Sequence, residues 1–171
     1  EAGCVLLGGE TAEMPGVYAP GQFDLVGTII GVVERRHMLP LPTVAVGDAV
    51  LGLPSSGPHT NGYSLIRRVF ANTPLDTHIE GVGVLGEALL APHRSYLDIV
   101  RRLRQRVDIK ALAHITGGGL IENVPRVLPA GVSVRLDSGS WPVPPLFTLI
   151  QERGRIARRE MYRVFNMGVG M

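Results

Sequence analysis

The sequence contains few of the residues that several classes of protein require. A single cysteine, Cys4, among 171 residues excludes an intrachain disulfide and a multi-cysteine zinc site. One lysine, Lys110, and no Gly-x4-Gly-Lys-[Ser/Thr] motif argue against a P-loop. Four Phe, four Tyr and one Trp are too few for an obvious base-stacking surface. No apolar run approaches the roughly 20 residues that span a bilayer. We therefore expect neither nucleic acid nor a membrane as a partner.

The residues that are present indicate a folded protein with uneven charge. Hydrophobic residues make up 45% and charged residues 19% of the chain, a balance typical of globular domains. No basic-then-apolar leader is seen, and we expect a reduced, cytoplasmic setting. Residues 1–90 carry nine acids and four bases, a net −5, whereas residues 91–171 carry six acids and thirteen bases, a net +7. A positive half attracts phosphates, although a run such as Arg101, Arg102, Arg104 and Arg106 is more typical of one solvated helix face.

Apolar patterning predicts alternating strands and helices. Short apolar runs predict strands at 4–7, 24–34, 48–53, 110–115 and 132–136. Periodic apolar stripes predict helices at 63–71, 94–107, 120–128 and 143–153, with a loop over 74–87. Pro40 and Pro42 indicate a linker over 36–47, and 165–171 resembles the start of a strand. This order is typical of an α/β or layered α+β fold, and we expect an internal segment of a longer protein.

Two glycine-rich turns, 55–62 and 116–119, each lie between a predicted strand and a predicted helix. The first N–H groups of a helix have no intrahelical partner and favour anions, and glycine lets the backbone approach them. Each turn could also serve structure alone. The candidate substrate- or phosphate-binding residues are Ser55, Ser56, Gly57, Gly62, Thr116, Gly117, Gly118 and Gly119.

Five further side chains could take part in chemistry. His59 and Asn61 share the first turn, and His114 precedes the second; we expect them to orient substrate or move protons. The alternatives are an exposed turn histidine at 59 and a satisfied core histidine at 114. Glu10 and Glu13 follow Gly8-Gly9 and could hold Mg²⁺ on nucleotide phosphates, or simply cap a turn in solvent.

The remaining histidines and the cysteine give weaker signals. His37, His78 and His93 have no supporting neighbours in the sequence, and no two histidines have the spacing of a zinc pair. Cys4 lies in an apolar run, which predicts an inert core residue.

Longer blocks of the sequence resemble one enzyme family. The blocks are 8–16 (Gly-Gly-Glu-Thr-Ala-Glu-Met-Pro-Gly), 55–65, 113–119 with 122–129, and 160–171. In this order they resemble the phosphoribosylformylglycinamidine cyclo-ligase family, also called aminoimidazole ribonucleotide synthetases. The resemblance covers the chain from end to end.

The resemblance implies a purine-biosynthesis ligase that uses ATP and Mg²⁺. Such an enzyme converts formylglycinamidine ribonucleotide and ATP into aminoimidazole ribonucleotide, ADP and phosphate, and is usually a homodimer. Residues 1–39 would be the end of an N-terminal ATP-binding and dimerisation domain, and 40–171 most of a C-terminal α/β domain. By resemblance, Glu10 would be a metal or substrate ligand, and we expect this segment to be inactive alone. The alternatives are a related kinase or synthetase of the same superfamily, or a noncatalytic phosphate-binding domain.

Overall fold

A computed structural model of the chain describes residues 3–39 and 43–171. The chain divides into two compact units, Glu1–Met38 and Leu39–Met171, and each is described by itself. The predicted linker prolines, Pro40 and Pro42, lie outside the described residues. The assignment of the two parts to two domains of a longer enzyme stays a prediction.

The described part of the first unit is extended chain with little regular structure. Its one helical turn is a 3₁₀ helix at Arg35–His37. Large apolar side chains are exposed along it, including Leu6 at 91% and Leu25 at 90%. Cys4 is exposed as well, so the prediction of a core cysteine is wrong. An apolar run can be buried only when another element covers it, and within this unit none covers 4–7.

Most of the regular structure described in the second unit is helical. The helices are α1 (Tyr63–Val69), α2 (Leu85–Leu89), α3 (Leu97–Arg104), α4 (Gly119–Asn123), α5 (Pro145–Gly154) and α6 (Arg158–Val164). A 3₁₀ helix at Val124–Val127 continues α4. No helix in the described part of the chain is long and apolar enough to cross a membrane.

The core of this unit lies among α1, α2, α5 and α6. Phe147, Ile150, Met161 and Phe165 are fully or almost fully buried, and Leu85 reaches them from α2. Burying such side chains removes apolar surface from water, and each Å² removed stabilises the fold by about 25 cal/mol. This is the main favourable contribution to folding. α3 contributes no buried residue of its own, although Tyr96, just before it, is buried.

The strand predictions are largely wrong for the described residues. The strands found there are β1 (His78–Ile79) and β2 (Gly83–Val84), an antiparallel hairpin inside the predicted loop 74–87. Runs 4–7, 24–34, 48–53, 110–115 and 132–136 form no named strand. Apolar composition favours extended chain, but a strand also needs a hydrogen-bonded neighbour. The α/β prediction therefore holds only as a mixed helix-and-sheet fold.

Three chain segments nevertheless meet beside the core. The backbone N–H of Leu53 donates to the Met171 carbonyl at 2.8 Å, and that of Gly170 donates to the Leu53 carbonyl at 2.9 Å. Ile115 N–H donates to the Gly170 carbonyl at 2.9 Å. Pro54 and Val169 form an isolated antiparallel bridge. Residues 168–171 thus join the segment before Ser55–Gly62 to the segment before Thr116–Gly119.

Candidate functional site

The loop Ser55–Gly62 is held by a buried asparagine from the far end of the chain. Asn166 is 1% exposed, and its Nδ2 donates to the Gly57 carbonyl at 2.8 Å. Its Oδ1 accepts from Ser55 Oγ and from the Gly168 N–H, each at 2.9 Å. Buried amides rarely go unpaired, and the loop supplies most of this one's partners. Asn166 was not predicted as a site residue. The feature that could have indicated its role is a single polar amide within an otherwise apolar run.

His59 is buried in this loop, so it is not an exposed turn histidine. Its exposure is 1%, and its Nε2 accepts the Ser56 backbone N–H at 2.9 Å. Ser56 Oγ donates its proton to the Pro92 carbonyl at 2.6 Å. Nε2 is therefore the unprotonated nitrogen, and Nδ1 carries the proton.

The surroundings of His59 keep its ring neutral. Burial first, and then the nearby His93, His114 and Arg94, together lower the pKa of His59 to about 4. Nδ1 is buried and has no hydrogen-bond partner among the described residues. His59 is thus fixed in one tautomer, with a polar N–H left unsatisfied.

The backbone of the loop is strained next to His59. His59 and Thr60 have φ of 50° and 60°, a left-handed conformation that non-glycine residues seldom adopt. The His59 carbonyl accepts from Thr60 Oγ1 and from Asn61 Nδ2, both at 2.6 Å. These two hydrogen bonds stabilise the left-handed backbone. Residues in such uncommon backbone conformations are found most often at ligand-binding and active sites.

The loop Thr116–Gly119 is held by a second buried asparagine. Asn123 Nδ2 donates to the carbonyls of Gly119 at 2.8 Å, Gly117 at 3.2 Å and Thr116 at 3.3 Å. Arg126 donates to its Oδ1 at 3.1 Å. Gly119 is required here, since a Cβ would clash with the Tyr162 carbonyl oxygen. Asn123 was also not predicted as a site residue.

The two loops lie side by side. A Cβ added to Gly117 would be 3.5 Å from Oδ1 of Asn61, so Asn61 borders both loops. A row of imidazole rings also connects them: His59 stacks on His93 with ring centroids 4.0 Å apart, and His93 lies 5.1 Å from His114. His93 therefore lies between two predicted site residues, although no neighbour in the sequence indicated a role for it.

Some predicted ligand groups are occupied within the loop. The Ser55 N–H donates to the Gly168 carbonyl, and its hydroxyl donates to Asn166. The Ser56 N–H donates to His59, and its hydroxyl donates to Pro92. Because every donor of both serines is used, these residues shape the loop in this conformation.

Glu10 and Glu13 are exposed residues of the first unit. No group of three or more His, Cys, Asp or Glu in 3–39 and 43–171 is arranged to hold a metal ion. Mg²⁺ often uses one or two carboxylates and completes its shell with water and phosphate oxygens. Glu10 and Glu13 are carboxylates of this kind, and the role of Glu10 as a metal ligand stays a prediction.

Comparison with known proteins identifies the family. Residues 45–171 match the model of the C-terminal domain of AIR synthase related proteins. The chain belongs to this family. A phosphoribosylformylglycinamidine cyclo-ligase of Geobacillus kaustophilus is 51% identical over 100% of this chain and 51% of its own length. One from Burkholderia cenocepacia is 51% identical over 99% of this chain and 49% of its own length.

These relatives confirm the resemblance seen in the sequence blocks. The chain spans about half the length of the curated relatives it matches. Within the family domain lie both glycine-rich loops, the three histidines and the two buried asparagines. Glu10 lies before residue 45, where the domain match begins.

Proposed function

We propose that the full-length protein containing this chain is an ATP-dependent cyclo-ligase. It would convert formylglycinamidine ribonucleotide to aminoimidazole ribonucleotide, with release of ADP and phosphate. The observation that carries the proposal is the pair of adjacent glycine-rich loops in a chain about half identical, throughout its length, to proteins of that name.

The reaction needs an activated oxygen. An amide oxygen is a poor leaving group, and transfer of the γ-phosphoryl of ATP to the formyl oxygen makes it a good one. The amidine nitrogen then attacks the same carbon, the C–O bond breaks, phosphate leaves with the electron pair, and the nitrogen loses a proton. The protein must hold the two ends of the substrate together and neutralise phosphate charge.

The residues of the two loops suit binding and orientation. Backbone N–H groups of Gly62, Gly117 and Gly118 would face phosphate oxygens, and Asn61 would orient the substrate between the loops. His59 would be a positioning residue, because its Nε2 already accepts a backbone N–H and its ring is neutral. His114, exposed at the loop edge, is the better candidate for direct contact with substrate.

Magnesium would supply charge neutralisation at the ATP phosphates, and Glu10 is the carboxylate proposed to hold it. The protein would act in the cytoplasm as a homodimer. The exposed apolar side chains of residues 3–38 support an association surface in that part of the chain.

An assay of the full-length enzyme tests the proposal. Incubation with formylglycinamidine ribonucleotide, ATP and Mg²⁺ should yield aminoimidazole ribonucleotide and ADP in equal amounts. An Asn61→Ala variant should lose most turnover, whereas Arg153→Lys should not, because the Arg153 guanidinium contacts Thr73 and Phe70 and neither loop. A phosphorylated substrate that never cyclises would favour a kinase, and no ATP turnover at all would favour a noncatalytic phosphate-binding domain.

A further inference from the structure

His93 contacts both predicted site histidines. It lies between α2 and α3, and its ring is nearly parallel to that of His59, with an interplanar angle of 19°. Its Nε2 is 3.2 Å from the Nε2 of His114. The row thus runs from a fully buried imidazole, through a half-buried one, to an exposed one.

The contact between the two Nε2 atoms constrains their protons. At 3.2 Å a nitrogen pair is stable when one proton lies between the two atoms, because two lone pairs or two N–H groups would repel each other. One ring must therefore be protonated on Nε2 and the other not. His59 cannot relieve this constraint, since its own Nε2 is engaged by Ser56.

The groups around His93 favour its neutral state. Burial lowers the pKa of His93, and His114 lowers it further. The other titratable or charged groups facing the row are His59, the Tyr96 ring at 6.4 Å from His93, and Arg94. Arg94 is held at the row by a bond from its guanidinium to the Pro54 carbonyl at 3.2 Å. Its fixed positive charge disfavours a second one nearby.

We propose that His93 is a positioning residue for His114. Stacking on His59 fixes the His93 ring, and its Nε2 then sets the tautomer and the ring orientation of His114 at the edge of the two loops. This inference rests on the proposed function, because the orientation of His114 matters to turnover only if the loops hold the substrate.

Two variants of the full-length enzyme separate hydrogen bonding from packing. His93→Phe keeps a flat ring to stack on His59 but removes the nitrogen, whereas His93→Gln restores a polar partner. With ¹⁵N-histidine labelling, the NMR signals of the wild type should show His114 in one tautomer, and those of His93→Phe should show a mixture. His78→Phe, on the exposed end of β1, is the control and should change neither His114 nor turnover.

Kinetics provide the second readout. His93→Phe should lower kcat about threefold to tenfold, the effect of one lost hydrogen bond, and change KM for the substrate less than about twofold. His93→Gln should recover at least about half of the wild-type kcat. Wild-type turnover in His93→Phe together with a loss in His93→Gln would indicate packing alone and overturn the proposal, as would an unchanged His114 tautomer in His93→Phe.

The two readouts also distinguish this inference from the proposed function. If the wild type forms no aminoimidazole ribonucleotide, the proposed function fails. The claim that His93 affects turnover fails with it. The NMR result decides separately whether His93 sets the tautomer of His114. If a variant does not fold, which a melting curve shows, His114→Gln tests the same pair from the other side and should raise the pKa of His93.

Discussion

The loop Ser55–Gly62 and the loop Gly8–Gly16 are both rich in glycine and both carry groups suited to phosphate or metal chemistry. The first is enclosed by its own unit: a buried amide, a buried imidazole and a backbone bridge hold it. The second is exposed along its length within its unit. Similar composition thus gives a preorganised loop where the rest of the unit supplies partners, and an open one where it does not.

The largest effect on stability is expected at Asn166. Asn166→Leu fits a buried site but leaves the Gly57 carbonyl and the Gly168 N–H without partners. Each unsatisfied buried group costs about 1–3 kcal/mol, so the free energy of unfolding should fall by about 3–5 kcal/mol. Urea denaturation of the full-length protein measures this. A loss below about 1 kcal/mol would mean that the loop does not depend on this amide.

The next effect is the pH dependence that His59 contributes. Its pKa is lowered to about 4 in the folded state from an ordinary value of 6.5, so the unfolded chain binds the extra proton first. The contribution of the neutral His59 ring to the free energy of unfolding is fully present above pH 6.5 and is lost as the pH falls toward 4. This loss amounts to about 2–3 kcal/mol. Denaturation at pH 7.5 and pH 4.5 should show a smaller difference in His59→Gln than in wild type. The exposed His78→Gln should behave as wild type.

Asn123 tests whether the second loop is held as the first is. Asn123→Ala removes the donor to three carbonyls that lie partly near the surface, where water can replace it. The free energy of unfolding should therefore fall by only about 1–2 kcal/mol. Hydrogen exchange at residues 116–119 should quicken more than exchange in α5. Uniform change across both regions would contradict a local role.

The smallest effect on stability is expected in the open loop. Glu10→Gln should change the free energy of unfolding by less than about 0.5 kcal/mol, since the side chain is exposed. Turnover of the full-length enzyme should nonetheless fall at least about tenfold, because a neutral amide neutralises no charge on Mg²⁺. Full activity in this variant would remove Glu10 from the proposed metal site.

Local patterns in the sequence predicted local features well. The apolar stripe of Leu65, Ile66 and Val69 and the proline start of α5 placed two helices within a few residues of their ends. The arginine-rich helix Arg158–Val164 was missed because its one buried residue, Met161, makes no stripe. The hairpin at His78–Val84 was missed because each strand has only two residues, too few for an alternating pattern.

The candidate site was predictable in its loops but not in what holds them. Glycine runs and polar side chains are visible in the sequence, whereas the role of a buried amide depends on which carbonyls the fold brings to it. Asn166 and His93 obtain their partners from distant segments, and no spacing rule along the chain reports such contacts. The polar groups of Ser55 and Ser56, conversely, looked available in the sequence and are occupied in the fold.

The bond between Ser55 and Asn166 joins residues 111 positions apart, and so it also sets an order of events during synthesis. Closing so long a loop costs chain entropy before any contact repays it, and such contacts slow folding. While the ribosome is still making residues 60–160, the first loop has no amide to hold it, and the backbone of Leu53 lacks its hydrogen bonds to Gly170 and Met171. The helices α1 and α2 can form early, but the hydrogen bonds that hold the loop Ser55–Gly62 form only after the segment 166–171 has emerged.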